Sequence, residues 1–374
     1  MIRTVGRNVP GAAIALSLLA APLGAQALLE PSVRLGPQFV EYRLGGDLDT
    51  RISEFAVPIA VVLPLGARFN FDIASAYASS RVEQNGVEET ITGVTDTQLR
   101  ANYTLGSDFI VLTAGINLPT GQSTVKSDQL KAAGYIGNDF LAFPVSNLGT
   151  GFAATGGVAV ARPLGEWNVG FGASMRHAAA YDAFEVGDER VRFEPGDEYR
   201  ARLGVDRAAG PGRVAFGVTW SAFGDDKDAV SSYATGDRIV TQAAYSAPVG
   251  NVNLFVSGWN LTRLAGERAG EEETPGENIT NLAVTAGIGA LGTTLEPTVE
   301  VRHWLADGER AGTLGQFGMR VRLPLGPFTA YPGGSFTTGS YVFRAPPPAD
   351  APEPPAQSYS LTGWRAMLTL RYGR

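Results

Sequence analysis

Arginine is the residue type whose spacing first suggests chemistry in this sequence. Arginines two positions apart include the pairs Arg200 with Arg202 and Arg320 with Arg322. In an extended strand this spacing directs both side chains to the same face. Rows of guanidinium groups on one face can bind anions or pair with carboxylates, so the elements that carry these arginines decide their role.

Other kinds of chemistry are not indicated. The chain contains no Cys, which excludes disulfides and thiolate metal sites, and it has neither a Gly-x-Ser-x-Gly motif nor a Gly-rich loop ending in Gly-Lys. Its two histidines, His177 and His303, are far apart along the chain. We therefore predict no enzyme activity, no cofactor and no metal, with a catalytic triad assembled across strands as the alternative.

Composition excludes several broad classes of protein. Gly accounts for 47 of 374 residues but follows no collagen period. The net charge of -7 argues against a nucleic-acid binder, because such proteins need a basic face. After the first 27 residues no segment approaches the length of an apolar membrane-spanning helix, so a helical membrane protein is also excluded.

The amino-terminal segment has the three parts of a secretory signal. Two arginines precede an apolar run at 12–23, and Ala25-Gln26-Ala27 provides small residues for cleavage. We predict a signal peptide at 1–27 and a single exported domain at 28–374. A buried core helix is the alternative for the first segment.

Apolar residues alternate with small or polar residues through most of the exported chain. From Trp167 to Met175 the odd positions are apolar and the even positions are Asn, Gly or Ser. A period of two is typical of strands with one apolar face. Such runs predict sixteen strands, at 33–44, 52–63, 67–79, 95–105, 109–118, 147–161, 167–177, 197–208, 213–223, 235–247, 251–263, 278–291, 295–305, 313–323, 327–343 and 358–372.

The predicted connections alternate between short and long. Tight turns such as Pro163-Leu164-Gly165 follow the even-numbered strands, and longer polar loops follow the odd-numbered ones. Short periplasmic turns and long outer loops are typical of β-barrels of the bacterial outer membrane. We therefore predict an all-β fold, a closed antiparallel transmembrane β-barrel of about 16 strands, with 14 strands as the fallback and a soluble sandwich as the alternative.

Two predicted outer loops stand apart. The third, residues 119–146, is the longest, and its apolar side chains need burial. We expect it to fold into the barrel mouth or across its rim without a strand of its own, and rim packing without a ligand is the alternative. The predicted substrate entrance consists of Leu130, Tyr135, Ile136, Phe140 and Phe143. The proline-rich segment 345–355 is predicted to be the last outer loop.

The alternation also assigns a face to the charged residues. Thirteen arginines and five acids are predicted to face the lumen: Arg43, Arg68, Arg100, Arg176, Arg200, Arg202, Arg213, Arg238, Arg302, Arg320, Arg322, Arg365, Arg371, Glu41, Asp72, Asp206, Glu296 and Glu300. The arginine excess can make a positive interior that favours anions. Alternatively, the arginines and acids pair into a ladder that fills the lumen.

Three segments carry a resemblance to a known family. They are TDTQLR at 95–100, VLTAGINLPTG at 111–121 and LGTGF at 148–152. Together they resemble the outer-membrane transporters associated with phenol meta-cleavage pathways, distant relatives of the long-chain fatty-acid transporter, and the likeness is concentrated in residues 51–177. The resemblance implies passage of small hydrophobic molecules.

Two functions of different classes are therefore predicted. The first is an outer-membrane channel or transporter for small hydrophobic or amphiphilic compounds. The second is a non-conducting structural or surface-interaction barrel whose lumen is filled by Arg-acid pairs. The expected partners are the lipid bilayer, lipopolysaccharide, the barrel-assembly machinery and a small hydrophobic or amphiphilic ligand, but not nucleic acid.

Overall fold

The structure is a computed structural model that describes residues 31–106, 109–228, 231–268, 272–274, 276–343 and 356–373. The predicted signal peptide at 1–27 and the proline-rich loop at 345–355 lie outside these residues. In the described part of the chain, no helix is both long and apolar enough to cross a membrane.

Strands dominate the described residues. They are β1 (Ser32–Leu35), β2 (Gln38–Leu44), β3 (Thr50–Pro64), β4 (Phe69–Gln84), β5 (Val87–Val94), β6 (Thr97–Leu105), β7 (Ile110–Leu118), β8 (Val125–Lys126), β9 (Ala153–Leu164), β10 (Trp167–Ala178), β11 (Tyr181–Val186), β12 (Glu189–Glu194), β13 (Glu198–Ala209), β14 (Gly212–Phe223), β15 (Asp225–Asp228), β16 (Ser232–Ala234), β17 (Arg238–Val249), β18 (Val252–Arg263), β19 (Gly266–Arg268), β20 (Glu272–Thr274), β21 (Glu277–Ala290), β22 (Thr293–Ala306), β23 (Glu309–Leu325), β24 (Phe328–Phe343) and β25 (Gln357–Tyr372). The α-helix α1 spans Leu130–Ile136, and 3-10 turns span Gly46–Leu48 and Ser127–Gln129.

The main sheet closes into an antiparallel barrel of sixteen strands, which confirms the predicted fold. β1 with β2, and β5 with β6, each form one interrupted barrel strand. The ring runs β1/β2, β3, β4, β5/β6, β7, β9, β10, β13, β14, β17, β18, β21, β22, β23, β24 and β25. It closes because Val33 of β1 lies opposite both Val61 of β3 and Tyr372 of β25. Closure gives every barrel strand two neighbours, which a sheet in hydrocarbon requires.

Tight turns join the strands at one end of the barrel, as predicted. β9 and β10 are joined by Gly165 and Glu166 alone, and β23 and β24 by Gly326 and Pro327 alone. Gly165 and Gly326 have φ values of +62° and +65°. A side chain strains the backbone in this region, so glycine suits these turns.

The outer face of the barrel wall carries an apolar belt. Leu203 of β13, 49% exposed, lies between Phe171 of β10 and Val218 of β14, which are 53% and 43% exposed. Other exposed apolar side chains on this face include Phe216, Val299, Val301, Phe317 and Phe336. A closed barrel with an outward apolar belt is the architecture of outer-membrane proteins. The chain is therefore a transmembrane β-barrel of the bacterial outer membrane.

At the long-loop end of β2 the polarity of the two faces is inverted. Val40, Tyr42 and Leu44 are buried on the inner side. Glu41 lies opposite the exposed Trp364 on the outer side, where it forms ion pairs with Arg43 at 2.9 Å and with Arg51 at 2.6 Å. The prediction that Glu41 and Arg43 face the lumen is wrong, because the inner side of β2 packs against a loop and therefore takes the apolar side chains.

A second sheet, which we call the crown, extends the wall above β10 to β21. It contains β20, β19, β16, β15, β12, β11 and β8 in that order. The wall bends where glycines allow close approach: a Cβ on Gly196 would lie 2.1 Å from the carbonyl oxygen of Gly224, and one on Gly236 would lie 1.8 Å from that of Leu264. Asp226 accepts the backbone N–H of Gly196 at 2.8 Å. These segments are predicted as loops by the sequence and are strands in the structure.

Candidate functional site at the barrel mouth

The long connection between β7 and β9, residues 119–152, folds into the barrel and is called L3 below. It contains β8, which pairs with β11 of the crown, and α1. Ile136, Phe140 and Leu141 are at most 1% exposed. The expected folding of this loop into the mouth is confirmed, whereas the expectation that it has no strand of its own is wrong, because β8 joins the crown.

L3 reaches across the whole lumen. Phe140 stacks on Trp304 of β22 at a ring distance of 5.3 Å and lies 6.3 Å from Tyr341 of β24. On the strand between them, β23, a Cβ on Gly312 would lie 2.6 Å from Cζ of Phe140, so this glycine makes room for the ring. In the sixteen-strand ring β23 lies opposite β9, where L3 ends. Phe140 therefore fixes L3 to the far wall.

L3 packs closely against β25 and β2 to β5, five of the sixteen barrel strands, which we call the sealed side. Tyr42 Oη donates a hydrogen bond to the carbonyl oxygen of Leu141 at 3.0 Å, and Arg365 Nη2 donates to that of Ala142 at 3.1 Å. The backbone N–H of Val145 donates to Glu54 Oε1 at 2.9 Å. Side chains of the sealed side that are at most 2% exposed include Val40, Ile52, Ala56, Ala78, Val82 and Ile91.

The strands β10, β13 and β14, three of the sixteen, leave space beside L3, and we call them the passage side. A cavity of about 150 Å³ lies between L3, β10, β13, β14 and the crown, and Ile91 of β5 also lines it. Below it, Gly170, Gly204 and Gly217 lie next to one another on three neighbouring strands. They alternate with the outward Phe171, Leu203 and Phe216, so they face the lumen, where Gly170 and Gly204 leave room and the side chain of Gln242 lies over Gly217.

The predicted entrance residues lie mainly within the packing of L3 against the wall. Phe140 and Phe143 are buried there, and Phe143 meets the ring of Tyr42 edge-on at 5.4 Å. Tyr135 packs against the same core, and Leu130 begins α1 with partial exposure. Ile136 is the one of the five that lines the cavity. The structure therefore does not bring the five together around an opening.

Sequence reasoning missed residues of the crown and of L3 that line the cavity. Tyr181, Ala183 and Phe184 come from β11, and Asn147 comes from the end of L3. Tyr181 and Ala183 flank Asp182, and Phe184 and Val186 flank Glu185, so two short alternations at 181–186 are a signal that could have identified β11. Nothing in the sequence identified Asn147.

The predicted lumen charges fall into paired and unpaired groups. Arg200 pairs with Glu198 and Arg302 with Glu300, both at 2.6 Å, and Arg320 pairs with Glu296 at 2.5 Å. Within the described residues six predicted lumen arginines form no ion pair within 4.0 Å: Arg68, Arg100, Arg176, Arg202, Arg322 and Arg365. The interior thus contains both ladder pairs and cations that keep donors available.

An ion pair joins L3 to β18 beside Phe140. Asp139 Oδ2 lies 3.2 Å from Arg263 Nη2 of β18. Burial raises the pKa of Asp139 above its ordinary value, and the charges of Arg263, Arg238 and Arg302 oppose this shift. The effect of burial on this pKa is larger than that of the three arginines. The inserted loop therefore favours the protonated carboxyl group more than a loop in water does.

Acidification is therefore expected to hold L3 more firmly. The stabilisation of the inserted loop by protonated Asp139 is fully present below the ordinary pKa of the group. It is lost as the pH rises through the raised pKa. Because the chain has no Cys, a spin label on a Ser127→Cys variant reports the mobility of L3. Its spectrum should broaden as the pH falls from about 7 to about 4, and the added change Asp139→Asn should reduce that dependence. Equal pH dependence with and without Asp139→Asn contradicts this assignment.

Comparisons with known proteins show only distant likeness. No protein-family model and no curated protein sequence matches the chain. An anion-selective porin from Comamonas acidovorans is 11% identical with a TM-score of 0.44, covering 92% of this chain and 99% of the porin. The CymD monoaromatic hydrocarbon channel is 9% identical with a TM-score of 0.42, covering 95% and 94%. The outer-membrane protein OmpT of Vibrio cholerae is 10% identical with a TM-score of 0.41, covering 91% and 97%.

These similarities assign the chain neither to a family nor to an activity. Its classification as a transmembrane β-barrel rests on its own closed sheet and apolar outer belt. Its function is inferred from the arrangement of L3 and the lumen.

Proposed function

We propose that the chain is an outer-membrane channel for small hydrophobic or amphiphilic compounds, with its passage between L3 and the passage side. The observation that carries this proposal is the unequal packing of L3. L3 packs on the sealed side and reaches across the lumen to Trp304, while the cavity and the inward glycines lie on the passage side. A loop that only filled the barrel would have no reason to leave β10, β13 and β14 uncovered.

The lining of the passage side suits solutes that have both apolar and anionic parts. Arg200 and Arg202 lie two positions apart on β13, with Arg176 on the neighbouring strand β10. Apolar side chains of the cavity, including Phe184 and Phe223, lie near the upper end of this row. Cations in a narrow lumen attract anions, and apolar walls accept hydrocarbon.

Electrical recording tests this proposal. We expect the purified barrel in a planar bilayer to give discrete single-channel currents that favour chloride over potassium, because Arg202 has no acidic partner among the described residues. Arg202→Glu should lower the chloride preference. Arg310→Glu, at the exposed outer rim, is the matched control and should leave that preference unchanged.

The alternative is a non-conducting structural barrel, and the ion pairs of Arg200, Arg302 and Arg320 are the observation that favours it. This alternative predicts no current from correctly folded barrels and no entry of small solutes into liposomes that contain them. Those two results together would contradict the channel.

A further inference from the structure

The cavity on the passage side combines apolar walls with a polar end. L3 contributes Ile136 and Leu148, β14 contributes Phe223, and β11 contributes Phe184. Arg176 and Asn147 also line the cavity. The walls can therefore enclose a hydrocarbon body, while the polar side chains can meet a hydrogen-bonding group.

Arg176 has unused donor capacity in this cavity. Its Nη2 donates to Thr150 Oγ1 at a long 3.4 Å, and among the described residues no carboxylate oxygen lies within 4.0 Å of its guanidinium group. A guanidinium group carries five N–H donors and no acceptor. Most of the donors of Arg176 thus remain available to a ligand.

The acids around Arg176 are engaged with other donors. Glu198 lies directly opposite Arg176 on β13, but its Oε1 is 2.6 Å from Arg200 Nη2 and 3.6 Å from Arg238 Nη2. Asp96 accepts the backbone N–H groups of Gly121 at 3.0 Å and of Thr150 at 2.7 Å. Glu198 is therefore shared between two other arginines, and a further anion would complement Arg176.

A second donor points to the same kind of ligand. Asn147 Nδ2 is buried and has no hydrogen-bond partner in the described chain. A buried N–H group without a partner is costly, so it favours a ligand that supplies an acceptor. A carboxylate has only acceptors, and its negative charge complements the positive charge of Arg176.

We propose that this cavity binds the carboxylate end of a small organic acid, with Arg176 and Asn147 as donors and the apolar walls around the rest of the molecule. The volume of about 150 Å³ limits the body to about one six-membered ring or a short chain, since an apolar cavity of that size accommodates benzene. The inference rests on the proposed channel, because it assigns the solute class selected at the entrance.

Calorimetric titration of the native barrel in detergent tests the site, with benzoate as the probe and benzyl alcohol as its neutral analogue. We expect saturable benzoate binding, and binding of benzyl alcohol at least tenfold weaker. Arg176→Gln should weaken benzoate binding at least tenfold, whereas Arg176→Lys should retain part of it because the charge is kept. Arg310→Gln, which changes an arginine outside the cavity, should bind like the native barrel.

A second variant tests the cavity without changing a charge. Ala183 is 7% exposed and lines the cavity from the crown, so Ala183→Phe should fill it and abolish benzoate binding. Circular dichroism must first show a folded barrel for each variant. Absence of saturable benzoate binding, equal binding of benzyl alcohol, or undiminished binding in folded Arg176→Gln or Ala183→Phe overturns the inference.

The site and the channel fail in different ways. Currents in potassium chloride without saturable benzoate binding would remove the site and leave the channel. Saturable benzoate binding that depends on Arg176 without any current would retain a ligand site and remove the channel.

Discussion

Replacing Leu203 with Arg is expected to prevent assembly of the barrel. Leu203 lies in the middle of β13 on the outer face, between the exposed Phe171 and Val218. An Arg at mid-depth on the lipid face of such barrels costs about 2 to 4 kcal/mol. The folded fraction can be measured from the β-sheet circular dichroism spectrum after refolding into lipid vesicles, and it should fall sharply.

The adjacent residue provides the matched control. Arg202 faces the lumen and, within the described chain, makes no ion pair. Arg202→Leu is the reverse of the exchange made in Leu203→Arg. Because it removes an arginine from the lumen, it should refold like the native chain. Normal refolding of Leu203→Arg combined with failure of Arg202→Leu would show that the faces of β13 are assigned the wrong way round.

Replacing Phe140 with Ala is expected to release L3 and raise the single-channel conductance. Phe140 is fully buried, stacks on Trp304 and occupies the space above Gly312. Truncating a buried Phe to Ala costs roughly 3 to 5 kcal/mol, and here the loss falls on the contact between L3 and the far wall. Conductance should rise and the current should become noisier, because L3 would leave its place across the lumen.

Phe336→Ala is the control for this change. Phe336 lies on β24 but is 56% exposed on the outer face, so its truncation leaves L3 in place. Its conductance should equal that of the native barrel. If folded Phe140→Ala barrels also conduct like the native barrel, L3 does not restrict the passage.

The barrel could be predicted from the sequence because its physical cause is local. Alternation between lipid and lumen sets the period of two, and hydrocarbon requires a closed sheet. β13 shows this clearly, since Tyr199, Ala201 and Leu203 alternate with Arg200 and Arg202. The short turns also allowed the antiparallel topology to be predicted. Gly165 and Gly326 mark two places where the chain reverses within two residues.

The mouth could not be predicted in the same way, because its contacts join residues far apart in the chain. The apolar inner face of β2 has its partner in Leu141, whose carbonyl oxygen accepts the hydrogen bond from Tyr42. The alternation rule assumes water or polar groups in the lumen, so it gave Glu41 the wrong face where L3 fills the barrel. The crown depends on close backbone approaches such as that of Gly236 to Leu264. The alternation of apolar and polar residues does not indicate such contacts.

The central claim is that solutes pass between L3 and the passage side, and a thiol-blocking measurement tests it most directly. The chain has no Cys, so a single introduced thiol is the only target. Thr219 of β14 faces the lumen on the passage side beside Arg202, whereas Ala78 of β4 is fully buried against L3 on the sealed side. A bulky thiol reagent should block the single-channel current of Thr219→Cys and leave that of Ala78→Cys unchanged. An unblocked Thr219→Cys channel, or block of Ala78→Cys alone, would contradict the account.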